Sequence, residues 1–191
     1  MRTIKTLSAL TLSASLLASG AALAAPEEYK LDPTHSFIEF SIPHLGISVL
    51  KGRFNELGGS FVYDEENPAA SSVNVQVRTA SVDSNHAERD KHIRSEDFLE
   101  VGKFPVARFE SSSFEPTEGG GVLKGELSLH GQTHPITVDV AHVGAGEDPW
   151  GGYRRGFTGV VEIDRGQWGI DTMKPEGETV KLEIFLEGIR Q

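Results

Sequence analysis

The densest run of side chains able to do chemistry is His86, Glu88, Arg89, Asp90, His92 and Arg94. Imidazole is a common metal ligand and the side chain that ordinarily titrates near neutrality, so histidines beside carboxylates suggest a metal or acid–base site. The spacing argues against it. On a helix His86 and His92 lie about 600° of turn apart, roughly 240° around the axis, and share no face. Arg89 and Asp90 are adjacent and do not converge on one helical face either. The expectation is a solvated helix with a few pairs into nearby loops. A polar collar of His44, Arg89, Asp90 and His92, around a ligand head group or a barrel mouth, is the competing reading.

Other polar groups are weaker candidates. His130 and His134 flank a tight turn, HGQTH, and lack a third ligand in sequence reach. His35 and His44 bracket the first long alternating run and are expected to be structural. Asp64-Glu65-Glu66 and Glu147-Asp148 are acidic loop patches without the ordered spacing of a calcium loop. No metal site and no catalytic residue is assigned. The chain has no GxSxG elbow, P-loop, HExxH or cysteine nucleophile. Gly144-Ala145-Gly146 lacks the third glycine of a dinucleotide loop and opens no helix, so no cofactor is expected.

The elements that must position these groups follow from composition. With 191 residues, one domain is the prior. A net charge of −10 argues against nucleic acid as a partner. Residues 1–24 read as a secretory signal peptide: Arg2 and Lys5, then the apolar run Leu7–Ala18, then Ala22-Leu23-Ala24. That run is too short to span a bilayer, and no later stretch is long enough, so no stable membrane insertion is expected. Residues 25–191 then form one domain that contains no cysteine and must stand on its hydrophobic core.

Alternation of apolar and polar residues dominates that domain. The apolar positions are Ile38, Phe40 and Ile42; Val73, Val75 and Val77; Leu127 and Leu129; Ile136, Val138 and Val140; Val161 and Ile163; and Val180, Leu182, Ile184 and Leu186. Period two means a strand with one dry face. Short turn-rich breaks make neighbours antiparallel. Such an all-β chain buries its dry faces in a sandwich or a closed barrel, and the barrel is preferred because closure removes edges. Residues 85–101 lack alternation and read as helical, with Ser95 as N-cap of a second start and Phe98 and Leu99 pointing inward. Trp150 and Trp168 are expected to pin loops to the core. Patterning alone leaves open whether the interior is hollow or filled.

YKLDPTHSFIEFSIPHLGIS, SSVNVQVRTASVDSNHAERDKHIRSEDFLEVGKFPVARFESSSF and GELSLHGQTHPITVDV together resemble the YceI family of periplasmic polyisoprenoid-binding proteins. The resemblance also takes in the EDPWGGYRRGF loop and is looser over DRGQWGIDTMKPEGE. Its motif residues His35, Ser36, Phe40, His44, Gly52, Arg89, Asp90, His92, Arg94, Phe98 and Pro105 are all present.

The resemblance implies an extended lipocalin-like antiparallel β-barrel with the helical segment over one end. It implies a tunnel for a polyisoprenoid such as an octaprenyl chain or a ubiquinone-type lipid, and a periplasmic location. By strand parity the tunnel lining is Ile38, Phe40, Ile42, Val73, Val75, Val77, Phe98, Leu127, Leu129, Ile136, Val138, Val161, Ile163, Leu182 and Ile184. The lipid is then a ligand and not a cofactor, and the protein binds it without chemistry. The alternatives are an enzyme acting on an isoprenoid through the 86–94 cluster, and a packed barrel serving as a protein-interaction module.

Overall fold

A computed structural model describes residues 25–170 and 179–191; segment 1–24, expected from its sequence to be a signal peptide, and residues 171–178 of the looser stretch lie outside the described residues. The alternating runs become strands because a pleated backbone sends successive side chains to opposite faces, which lets each run bury one face and wet the other. In chain order these are β1 (Glu27–Leu31), β2 (Phe37–His44), β3 (Ser48–Phe54), β4 (Leu57–Tyr63), β5 (Ser72–Arg78), β6 (Val82–Asp83), β7 (Val106–Thr117), β8 (Gly120–Leu129), β9 (Gln132–Glu147), β10 (Tyr153–Asp164) and β11 (Thr179–Arg190). One α-helix, α1 (Ala87–Arg94), follows β6.

The register reduces these strands to eight staves. The C-terminal end of β11 pairs with β1 through Tyr29↔Arg190, and its N-terminal half pairs with β2 through Lys181↔Ser41. β1 and β2 are therefore one stave broken at residues 32–36. By the same logic β3 continues into β4, and β5 into β6, since β2–β3, β1–β4, β4–β5 and β3–β6 all pair antiparallel. The remaining staves, β7 to β11, each pair with the next in sequence. The result is an up-and-down antiparallel barrel, lipocalin-like, whose first stave closes on its last.

Inward glycines let the wall curve. Phe40 lies across from Gly52, where an added Cβ would stand 2.3 Å from the Phe40 ring. At Gly188 the same addition would strike Phe61, which stacks on Tyr29 at 4.7 Å. Small residues under aromatic rings thus set the barrel's curvature and its packing together.

The helical region is shorter than its composition suggests. His86 is the N-cap of α1, its Nδ1 accepting from the Arg89 amide at 3.2 Å. Ser95 starts no second helix: it closes the first, its amide donating to the His92 carbonyl. Turns follow to Lys103, and they lay Phe98 and Leu99 over the barrel interior. The glycine-rich region from 144 to 152 is also more ordered than its turn composition implies, with β9 running on to Glu147. Trp168 does pin its segment: it is buried, and its indole N–H donates to the Leu127 carbonyl at 3.0 Å. Trp150 does not. It stands 80% exposed at the tip between β9 and β10, because Asp148 holds that turn closed through the Trp150 and Gly152 amides without any core contact.

Candidate functional site

The barrel interior is not filled. Two apolar cavities of about 150 Å³ and about 170 Å³ lie end to end inside it. Either exceeds by about tenfold the space that one water needs, and apolar walls of this kind stay dry. The first lies toward the β1–β4 end, among Val73, Val75, Ile136, Val138, Val161 and Ile184, with Phe61, Tyr63 and Phe157 beyond them. The second lies beneath α1, among Phe40, Ile42, Phe98, Leu129 and Ile163. Ile38, Val77, Ala107, Leu127 and Leu182 border both and form a waist between them. Every lining position named from alternation therefore sits on one cavity wall or both.

The first cavity has a seam. β5 pairs with β7 only through residues 106–110, and β7 then bulges between Ser111 and Ser113. Beyond that point the backbone ladder ends, the Val73 amide donating instead to the Ser111 hydroxyl at 2.8 Å, and Ser71, Ser72 and Phe114 border the cavity there.

The polar collar does not assemble. Arg89 and Asp90 do converge, contrary to the helical-face argument, because their common target lies off the helix at Ser84. Asp90 accepts from the Ser84 amide at 2.8 Å and from its hydroxyl, while Arg89 Nε donates to the same hydroxyl at 2.7 Å. Arg94 Nε donates to the Ala80 carbonyl at 2.8 Å. His92 reaches Asp97 at 3.0 Å and meets the Phe98 ring edge-on. His44 is exposed at the far tip of β2. These contacts clamp α1 to the stave that precedes it. Asp90→Ala leaves the buried Ser84 amide without its acceptor, at an expected cost of about 2–3 kcal/mol. Thermal unfolding should show that loss while lipid occupancy persists, and Asp90→Asn should recover part of it.

His130 and His134 do not form a pair of ligands. His130 Nδ1 contacts the Trp168 carbonyl at 2.9 Å, and His134 meets the Trp168 ring edge-on. His35 belongs to a cluster at the β1–β2 break. Its Nδ1 lies 2.8 Å from Asp32, and Arg154 Nη1 donates to the same carboxylate at 2.7 Å and also to Glu187. Asp32, His35 and Glu187 offer a metal-like set of ligand atoms, and the Arg154 guanidinium already supplies the positive charge between the carboxylates. The Thr34 hydroxyl, then Arg154 and His35, hold the Asp32 carboxyl well below the usual carboxylate range despite its burial.

The group that motif reasoning missed is Arg155. It shares the inward face of β10 with Phe157 and Val161 and is 3% exposed. Its Nε donates to Tyr29 Oη at 3.2 Å, an Nη donates to Glu65, and its guanidinium lies 4.1 Å over the Tyr63 ring. His142 stands beside it, Nε2 3.5 Å from Arg155 Nη1. This cluster closes the apolar interior at the β1–β4 end. The available signal was parity: residues 155, 157, 159 and 161 all point one way.

Burial and then the Arg155 charge lower the His142 pKa from its ordinary 6.5. The fold holds the imidazole neutral, whereas the unfolded chain takes up a proton near 6.5. Stability from this group is therefore complete above that pH and falls as pH drops below it toward the depressed folded value. Urea unfolding should show the decline, and His142→Phe should flatten it.

With this geometry in view, the YceI-like domain family matches residues 29–188 of the chain. A UPF0312 protein of Pseudomonas paraeruginosa is 49% identical over 98% of both chains. A UPF0312 protein of Yersinia enterocolitica is 49% identical over 97% of both. Among solved structures, BcnA of Burkholderia cenocepacia superposes with a TM-score of 0.73 at 20% identity, covering 82% of this chain and 98% of that one. The YCEI protein of Campylobacter jejuni gives 0.69 at 24% identity, over 78% of this chain and 90% of that one. A domain from Saccharophagus degradans, described as polyisoprenoid binding and implicated in plant cell wall breakdown, gives 0.62 at 15% identity, over 85% and 98%. At these identities the superpositions establish the fold.

Proposed function

This chain belongs to the YceI-like domain family, and we propose that it is a carrier or store for an amphipathic polyisoprenoid, which it shelters in the barrel without altering it. The observation that carries the reading is the pair of apolar cavities inside the barrel, adjacent across five shared lining residues. Burial of hydrocarbon stabilises by about 0.8 kcal/mol per methylene, so ten carbons yield roughly 8 kcal/mol before ordering costs. The tail alone can hold such a ligand, and no strong polar motif is required. The polyisoprenoid-binding description of a structural neighbour supports the same class of ligand. The three-part leader at residues 1–24 supports action in the periplasm, where an isoprenoid in transit needs shielding from water.

Organic extraction of the purified protein, followed by mass spectrometry, is expected to release an isoprenoid. Lipid-free protein from a membrane-rich host that also fails to take up ubiquinone would overturn the reading. Fractionation of cells, with a mature N-terminus at Ala25, checks the location.

A further inference from the structure

We propose that the β2–β3 hairpin tip is a peripheral membrane contact through which the second cavity faces a lipid leaflet. The inference rests on the carrier reading for its purpose, but the contact itself can be tested apart from it.

The tip is the turn His44-Leu45-Gly46-Ile47, closed by the Ile47 amide donating to the His44 carbonyl at 3.0 Å. Leu45 and Gly46 both have positive φ, 57° and 68°. Two such residues in a hairpin turn favour Asn-Gly or Gly-Gly, and a leucine in the left-handed region is costly. This leucine is also 58% exposed, with Ile47 at 83% and Val49 at 62%. Backbone preference and solubility both disfavour what stands here. Backbone strain combined with exposed aliphatic side chains is a pattern that folding does not require and function does.

Three observations select a bilayer as the occupant. First, the tip adjoins the cavity: Ile42, two residues before the turn and paired with Leu50, lines the second cavity. Secondly, residues 40–50 carry no Asp, Glu, Lys or Arg, in a chain with 28 acidic residues, and Lys51 behind them is paired with Glu183 at 3.5 Å. No carboxylate at the tip repels an anionic leaflet. Thirdly, one turn with three exposed aliphatic side chains is far smaller than the roughly 800 Å² per partner of a stable protein interface, whereas a leaflet accepts it. The other exposed apolar tip, at Trp150, sits beside Glu147 and Asp148, which an anionic surface repels.

The test is flotation of the protein with phosphatidylethanolamine vesicles containing phosphatidylglycerol, alongside farnesol uptake from solution. Wild type and Trp150→Ala are expected to float equally. Ile47→Asp should lower the vesicle-bound fraction roughly tenfold or more. Leu45→Asn should also lower it while keeping or raising the melting temperature, since asparagine tolerates the left-handed backbone; a merely structural leucine would not behave so. Farnesol uptake should be unchanged in both. Wild type that does not float, Ile47→Asp that floats like wild type, or flotation lost in Trp150→Ala instead would each overturn the proposal. Loss of farnesol uptake by every form, with tip-dependent flotation intact, would sink the carrier reading and leave the membrane contact standing.

Discussion

Ala107→Trp is expected to stop a long polyprenol from entering the barrel while a short one still binds. Ala107 lies on β7 opposite Val77 and borders both cavities. A methyl side chain there is the smallest of the five that separate the cavities, so a long ligand that displaces the others has most room to pass beside it. An indole there fills that room, and a chain of eight isoprene units can no longer run from one cavity into the other. Overpacking costs about 1–3 kcal/mol, which a domain of this size tolerates. The variant should therefore remain folded by circular dichroism. Competition between octaprenol and farnesol, read by mass spectrometry of the extracted lipid, is the measurement. Equal uptake of octaprenol by wild type and variant would show that the ligand does not pass the waist.

The second large effect separates two adjacent residues. Phe40 and Ser41 are about equally buried, at 7% and 8% exposed, so burial does not distinguish them. Their faces do. Phe40 lies over the second cavity among Phe54 and Val82. Ser41 points outward, in register with Lys51 on one neighbour and Lys181 on the other. Phe40→Asp puts a carboxylate among apolar groups with no cation to meet it, at a cost of several kcal/mol. Against a total stability of about 5–15 kcal/mol, that unfolds the barrel or empties it. Ser41→Asp places the same charge on the wet face beside Lys51 and Lys181, which also hold Glu183, and its expected effect is within about 1 kcal/mol. Urea midpoints for the pair provide the check. Similar losses in both variants would mean that the register of β2 is wrong.

Much of the site was legible in the sequence because strand parity is local. Ile38, Phe40 and Ile42 face inward because they are two residues apart, and this holds whatever strand lies beside them. The same rule placed Val73 to Val77, Leu127 and Leu182 on the cavity walls. The 86–94 cluster misled in one respect. Helical geometry describes how side chains diverge from an axis and is silent about a target off the helix, and Ser84 is such a target. Ser95 was misplaced for a related reason: a serine beside acidic residues suits an N-cap, and here its amide and hydroxyl serve the end of the preceding helix instead.

From sequence alone came the dry and wet faces, the antiparallel order and the all-β class, since alternation and turn composition act over a few residues. Tertiary structure decided what those faces enclose. Whether inward side chains meet or leave a hollow depends on how far apart opposite staves stand. That distance is fixed by closure of β11 on β1 and β2, which brings together residues some 150 positions apart. It also decided that Arg155 belongs indoors: parity turns it inward, but Tyr29 and Glu27 from β1, the Tyr63 ring from β4 and Glu65 from the loop after it make a buried guanidinium tolerable.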